Sequence, residues 1–452
     1  MTIGARNIIL VANEVSEKTG SLKLVNGLTK RVAGDEFDEW KKLDGHSFTI
    51  GFLIESLRTN DEEYIKLYGS RPVKDATSSN ISKGKGFTSE VFRYVVSFVD
   101  SVSESDVYTT VLKIPSTAAI ERGKKDASAK SFIEKKAINF ARFHVTEMEF
   151  YNNLAPTLDI PLIKVFKTLP WVIGESEGVL HMEDITGKAE FVGFAHTLNI
   201  SQIKEIVRHL AHMHKICLTS DENHQKLWKG KYNENYHVFG TIVRKTGDYE
   251  RFLDICGDRD FFEPLLKKYR KFGSSTDYNT YAFAQSWKDL DLQSVFVHGD
   301  FYAGNIMWKL DEHGNSTNQL AAIFDWQVVH EGSPMADIAR MLATSVDGYI
   351  RRQAETFIIE FYYDLLKKEM EEAGKSCPYT VEQLKKAYNY IFLCQCYGVT
   401  LLTAFYHRCI EEENHRIKKA KVDNLIIRCK HALEDMDKHL TGSMKHVFEK
   451  FG

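Results

Sequence analysis

Residues 298–305, HGDFYAGN, set an aspartate and an asparagine five positions apart directly behind a short apolar run, SVFV at 294–297. An aspartate so placed can orient and deprotonate an alcohol. An asparagine, neutral and oxygen-bearing, can ligate a hard cation such as Mg2+ without adding charge. Phosphoryl transfer needs that pair, because it asks the protein for positioning and for neutralisation of phosphate oxygens more than for covalent work. ATP-dependent transfer to a hydroxyl is the leading expectation, with Asp300 as the base and Asn305 as a metal ligand. Since Asp300 fills the role of base, His298 is expected to be structural, tying the loop through a hydrogen bond.

The flanking segments must hold these groups in place. The run at 294–297 is short and partly β-branched, as suits a buried strand, and apolar residues resume at 306–310. A polar turn at 311–318 then gives way to LAAIFDW, which predicts a β hairpin with Asp325 at its exit. A carboxylate there would be the second Mg2+ ligand. Towards the N-terminus, SKGKGFTS at 82–89 places Gly84 and Gly86 in a turn that enters the alternating strand EVFRYVVSFVD. The turn does not end in Gly-Lys-Ser/Thr or open a helix, so it is not a Walker A loop. It fits either a glycine-rich cover for ATP phosphates, with Ser89 where a third glycine would stand, or an ordinary hairpin turn. The next predicted strand, VYTTVLKIP, carries Lys113, suited to contact the α and β phosphates and to pair with a glutamate of the following helix. That helix offers Glu147 and Glu149, which project about 200° apart, so only one can face Lys113.

HGDFYAGNIMW, then IFDWQ, then PMADIA at 334–339 together resemble the signature of the choline kinase and aminoglycoside phosphotransferase group. Within it the chain is most similar to the CHK kinase-like, or ecdysteroid kinase-like, proteins of insects and nematodes. The resemblance runs from about residue 80 to about residue 410 and is strongest over 295–340. It implies a protein kinase-like, bilobal α+β fold, with a small mixed β-sheet lobe and a larger, mainly helical one. Residues 1–184 would be an N-terminal extension plus the ATP-binding lobe, and 185–452 the helical lobe with the catalytic loop and acceptor pocket. It selects Glu147 as the partner of Lys113, because Tyr151 follows at the family's interval. It also makes Met182, Glu183 and Asp184, in GVLHMEDI, the hinge whose backbone meets adenine. Asp337 would be a buried brace for the catalytic loop, where the residues alone equally allow a solvated carboxylate or one opening a helix. The implied activity is phosphorylation of a small-molecule alcohol with ATP and Mg2+. The alternatives are a choline- or aminoglycoside-type kinase and an inactive kinase-like binding module.

Composition agrees with a two-lobed enzyme. The 452 residues are 43% hydrophobic, ample for burial, and 59 basic against 62 acidic residues leave a net charge of -3. No basic face for nucleic acid or an anionic membrane is expected. The basic run at 415–431 has apolar residues at helical spacing and reads as the wet face of a terminal helix. Seven irregularly spaced cysteines suggest a reducing compartment, and no apolar run has the length of a membrane span. A cytoplasmic location is expected. Residues 1–75 carry no functional signal. Tyr390, Cys394, Tyr397, Leu401 and Phe405 fall on one helical stripe, which would be a plain core face or the wall of an apolar acceptor pocket. The family resemblance tips this toward a lipophilic, steroid-like alcohol. A protein substrate is not expected: Asp337 follows Asp325 by only twelve positions and no APE motif intervenes.

Overall fold

Thr49 and Asp61 start two helices near the N-terminus. In this computed structural model, which describes residues 30–82, 88–117, 129–246, 249–410, 412 and 414–452, each side chain accepts the first free N–H groups of its helix. These helices, α1 (Ile50–Asn60) and α2 (Glu62–Tyr68), bury Leu53, Leu57 and Tyr64. The chain divides into two compact units, Met1–Tyr151 with Ile163–Ile185, and Asn152–Leu162 with Thr186–Gly452.

The first unit is built on a five-stranded sheet. Its strands are β1 (Val73–Asn80), β2 (Ser89–Phe98), β3 (Val107–Pro115), β4 (Val165–Leu169) and β5 (Val179–Glu183), in the order β1-β2-β3-β5-β4. The period-two pattern of β2 buries Phe92, Tyr94, Val96 and Phe98 in the core that α1 and α2 share. A mixed sheet was the expectation; every neighbouring pair is antiparallel. The reason is connectivity: β1-β2, β2-β3 and β4-β5 are pairs of successive strands, for which hairpin pairing needs no crossover. Helix α3 (Ala129–Glu149) belongs to the same unit.

Asp35 is the anchor of the segment before α1. Its carboxylate takes both ends of the Arg58 guanidinium, at 2.6 and 2.8 Å, and the Val73 N–H, and both side chains are buried. Burial pushes the Asp35 carboxyl up, but hydrogen bonds from Arg58, Val73 and Val32 outweigh it and hold it below its ordinary 3.8. A carboxyl depressed in the folded state stabilises above its unfolded value, and that contribution is lost as pH falls through the folded one. Urea unfolding of wild type should therefore weaken progressively below about pH 4, the unfolded carboxyl's value. Asp35→Ala, which leaves a buried guanidinium uncompensated, should cost about 3–5 kcal/mol at neutral pH. A loss under 1 kcal/mol would remove Asp35 from the anchor.

The second unit is mainly helical and contains two small antiparallel sheets. One joins β6 (Ala189–Phe191), β8 (Ile306–Leu310) and β9 (Ser316–Ile323); the other pairs β7 (Val295–Val297) with β10 (His330–Gly332). The helices that bear on the site are α4 (Ala336–Ser345), buried along its whole length, and the long α5 (Val381–Cys409) and α6 (His415–Thr441). The fold class is thus α+β, as expected. Among the described residues no helix is long and apolar enough to cross a membrane.

One basic residue departs from the wet face expected of 415–431. Arg428 is buried and donates to the carbonyls of Phe194, His196 and Thr344 and to Asp347. It leaves solvent because those carbonyls need donors, and the guanidinium supplies several in a rigid fork.

Candidate active site

Strand β7 delivers His298 into a turn that only glycine can complete. Gly299 has φ +83°, and a Cβ there would lie 2.5 Å from the Val328 carbonyl oxygen. The loop backbone is pinned from α4: the buried Asp337 carboxylate accepts from the N–H groups of His298 (2.8 Å) and Gly299 (3.0 Å). Burial raises the Asp337 carboxyl above its ordinary value, against the lowering by these N–H groups and by Arg340. Ser345, at the end of the same helix, accepts from the Ala303 N–H at 2.8 Å.

The loop and the hairpin exit are then stitched together. The Asn305 side-chain amide donates to the Asp300 carbonyl (2.9 Å), and the Asn305 carbonyl accepts from the Phe324 N–H (3.1 Å). His298 closes the circuit, since its Nδ1 accepts from the Asp300 N–H and its Nε2 meets the Phe324 carbonyl at 3.0 Å. An acceptor at Nδ1 and a donor at Nε2 define one neutral tautomer, so the ring is a brace. Asp325, next along, holds φ +67°, an unusual conformation for a residue with a side chain, and accepts from the Gln327 amide at 3.2 Å. The buried Trp326 fixes that bend by packing on Phe296 and His298.

Asp300, Asn305 and Asp325 therefore converge on one connected piece of backbone. With its NH2 spent on Asp300, Asn305 is left to offer its amide oxygen, and Asp325 offers a carboxylate. That hard-oxygen pair fits Mg2+, which takes one or two protein ligands and completes its shell with phosphates and water. Among the described residues no group of three or more His, Cys, Asp or Glu side chains could hold a metal ion.

The residue that the sequence did not flag is Arg340. One of its Nη groups donates to Asp300 Oδ1 and the other to Gln395 Oε1 of α5, at 2.8 Å. The signal was available in principle: Asp337 and Arg340 are three apart, hence neighbours on one helix face.

In the first unit Lys113 of β3 reaches Glu147 of α3, with Nζ 2.7 and 2.8 Å from its two carboxylate oxygens. Glu147 is buried, whereas Glu149 is only partly so. Lys113→Met and Glu147→Gln should each lower catalytic efficiency, and their double mutant should be non-additive by about 0.5–3 kcal/mol. Simple additivity would contradict a working pair. Of the residues expected to form a hinge, Met182 has a carbonyl that accepts from Thr110 Oγ1, and the Glu183 N–H donates to the Lys164 carbonyl. The Asp184 carboxylate takes Arg93 Nε at 2.5 Å. Gly84 and Gly86 lie outside the described residues.

The aromatic stripe on α5 proves to be mostly core. Cys394, Tyr397 and Leu401 are buried, Tyr397 lies against Gly273, and Cys394 donates to Asn279. A second aromatic group involves the 298–305 loop. Tyr302, two residues after Asp300, meets Tyr406 through their hydroxyls at 2.9 Å, and Tyr406 stacks on Phe194 with ring centroids 4.0 Å apart.

The sequence matches the DUF1679 family, described as "Uncharacterized oxidoreductase dhs-27", over residues 70–443. The chain belongs to this family. It is 28% identical over 356 residues to the Caenorhabditis elegans protein of that description, a match covering 77% of this chain but 41% of the relative. The chain thus spans about two-fifths of the length of that DUF1679 relative. A second Caenorhabditis elegans relative, "Uncharacterized kinase-like protein D1044.1", is 23% identical over 409 residues, covering 85% of this chain and 97% of the relative. Similar solved structures include the GDP complex of wild-type aminoglycoside 2'-phosphotransferase-IIIa (10% identity, TM-score 0.41, 83% of this chain and 96% of that one). Another is the macrolide 2'-phosphotransferase MphH of Brachybacterium faecium (14% identity, TM-score 0.34, 80% of this chain and 97% of that one).

Proposed function

We propose that this chain is an ATP- and Mg2+-dependent phosphotransferase that phosphorylates a hydroxyl of a small molecule. The observation that carries the reading is the stitched loop, in which hydrogen bonds through Asn305 and His298 tie Asp300 to the residue before Asp325. In this reading Asp300 takes the proton of the acceptor hydroxyl as its oxygen attacks the γ-phosphorus and ADP leaves. Asn305 and Asp325 would hold Mg2+, which when bound neutralises phosphate charge. Lys113, kept in place by Glu147, would contact the phosphates. Gly84 and Gly86 would cover them, and the backbone of Met182, Glu183 and Asp184 would meet adenine.

The finer assignment is to a CHK kinase-like enzyme with a lipophilic, steroid-like alcohol as acceptor. It is supported by the aromatic group of Phe194, Tyr302 and Tyr406, of which Tyr302 lies two residues from Asp300. A small acceptor is further favoured by the segment between Asp325 and Asp337. A protein kinase presents peptides from that region, but here Trp326, Val328, Val329, Ser333 and Met335 are buried and β10 pairs with β7. Among the described residues six cysteines are free thiols, which suits a cytoplasmic setting. The word oxidoreductase belongs to a relative more than half of which lies outside the match. The strands in hand form antiparallel sheets, unlike the parallel sheet of a dinucleotide fold.

ADP release with Mg-ATP, measured over a panel of a sterol, a steroid diol, choline, an aminoglycoside and a macrolide, tests this reading. Stimulation by one of the apolar alcohols supports it in full. Stimulation by the aminoglycoside with no response to any steroid would overturn the lipophilic assignment. Nucleotide binding with no turnover on any acceptor or on water would leave a binding module.

A further inference from the structure

We propose that Arg340 is the positioning residue of the base: it holds the Asp300 carboxylate in a single orientation, with Oδ1 engaged and Oδ2 presented to the acceptor hydroxyl. This rests on the phosphotransfer reading and adds to it a part that no motif names. Helix α4 acts as a template for the loop. Asp337 fixes the backbone at His298 and Gly299, Ser345 fixes it at Ala303, and Arg340, one turn after Asp337, takes the Asp300 side chain. The guanidinium is itself oriented from both ends, by Asp300 and by Gln395.

The energetics favour a working role over a merely cohesive one. The side chains of Arg340 and Asp300 retain only 7% and 12% of their exposure, and Arg340 Nε is buried without a hydrogen-bond partner. Burying a guanidinium with one N–H unsatisfied is costly, and apolar residues of similar volume often do as well or better for stability. What the pair supplies is geometry. A carboxylate free to rotate would present either oxygen, whereas one bound at Oδ1 by a charge-assisted hydrogen bond presents the other. The step balances: the hydroxyl proton passes to Asp300 Oδ2 while the new O–P bond forms and the bond to the ADP oxygen breaks. Asp300 afterwards releases the proton to solvent.

The full chain with Mg-ATP, and as acceptor the panel alcohol giving the fastest ADP release (water if none exceeds it), provides the test. Arg340→Met and Arg340→Gln should lower kcat about a hundredfold, the scale of a misplaced reacting group, with the KM for ATP changed less than about twofold. Arg340→Lys, which keeps the charge but not the fork, should fall between them and wild type. Because a variant could fail to fold, Arg340→Ala is measured with and without millimolar guanidinium. Recovery of at least about tenfold, with none in wild type, marks a missing positioning group, since guanidinium does not repair a misfolded chain. A kcat for Arg340→Met within about threefold of wild type, or a loss that guanidinium and lysine leave untouched, overturns the proposal while the phosphotransfer reading stands. A wild-type chain that consumes no ATP would instead sink that reading, and this role for Arg340 with it.

Discussion

Asp300→Asn is expected to abolish phosphoryl transfer while leaving Mg-ATP binding close to wild type. The substitution keeps the shape of the side chain and can still accept from Arg340, so the loop should survive. What it removes is a proton acceptor, and general base catalysis contributes about 10²–10⁴-fold to rate, or roughly 3–5 kcal/mol of barrier. Nucleotide affinity from a fluorescent ATP analogue and kcat from ADP release separate the two effects. Retention of more than about a tenth of wild-type turnover would place the base elsewhere. A parallel loss of nucleotide affinity would mean that Asp300 holds the metal instead.

Asp325→Ala should act on the other side of the same circuit. The stitch that fixes residues 298–305 runs through the Phe324 backbone, which the substitution leaves in place, and alanine removes only the carboxylate. Residue 325 must still adopt φ +67°, which costs alanine roughly 1 kcal/mol more than glycine. Asp325→Gly therefore serves as the unstrained control. Both variants should weaken nucleotide binding about a hundredfold or more in Mg2+, the worth of a metal clamp on phosphate charge, and little in EDTA. An unchanged Mg2+ dependence would remove Asp325 from the metal site.

Much of this arrangement could be read from the chain because it is local. The HGDFYAGN loop, the hairpin that returns to Asp325, and the strands carrying Lys113 and Met182 each follow from a short window of period, turn chemistry and charge. The choice of antiparallel over mixed pairing in the first sheet was not legible, since it is fixed by connections that pattern alone does not orient. Arg340 escaped for a different reason. On α4 every position is buried, so there is no apolar stripe from which a charged residue would stand out, and its meaning comes from Asp300, forty positions away. The α5 stripe was readable as a core face and Arg428 was not, for one reason: helical period identifies a face, but what that face meets is decided by distant carbonyls in one case and by Gly273 and Asn279 in the other.

The central claim is that Asp300 directs the γ-phosphate of ATP onto the hydroxyl oxygen of a small molecule. Phosphorus-31 NMR of the full chain with Mg-ATP and the acceptor panel reads that bond directly. The expected result is a phosphomonoester resonance growing in step with ADP for at least one small alcohol, absent in Asp300→Asn and absent without Mg2+. Stoichiometric transfer to protein that disappears in Asp300→Asn, or a phosphomonoester that forms at the same rate in that variant, would contradict it.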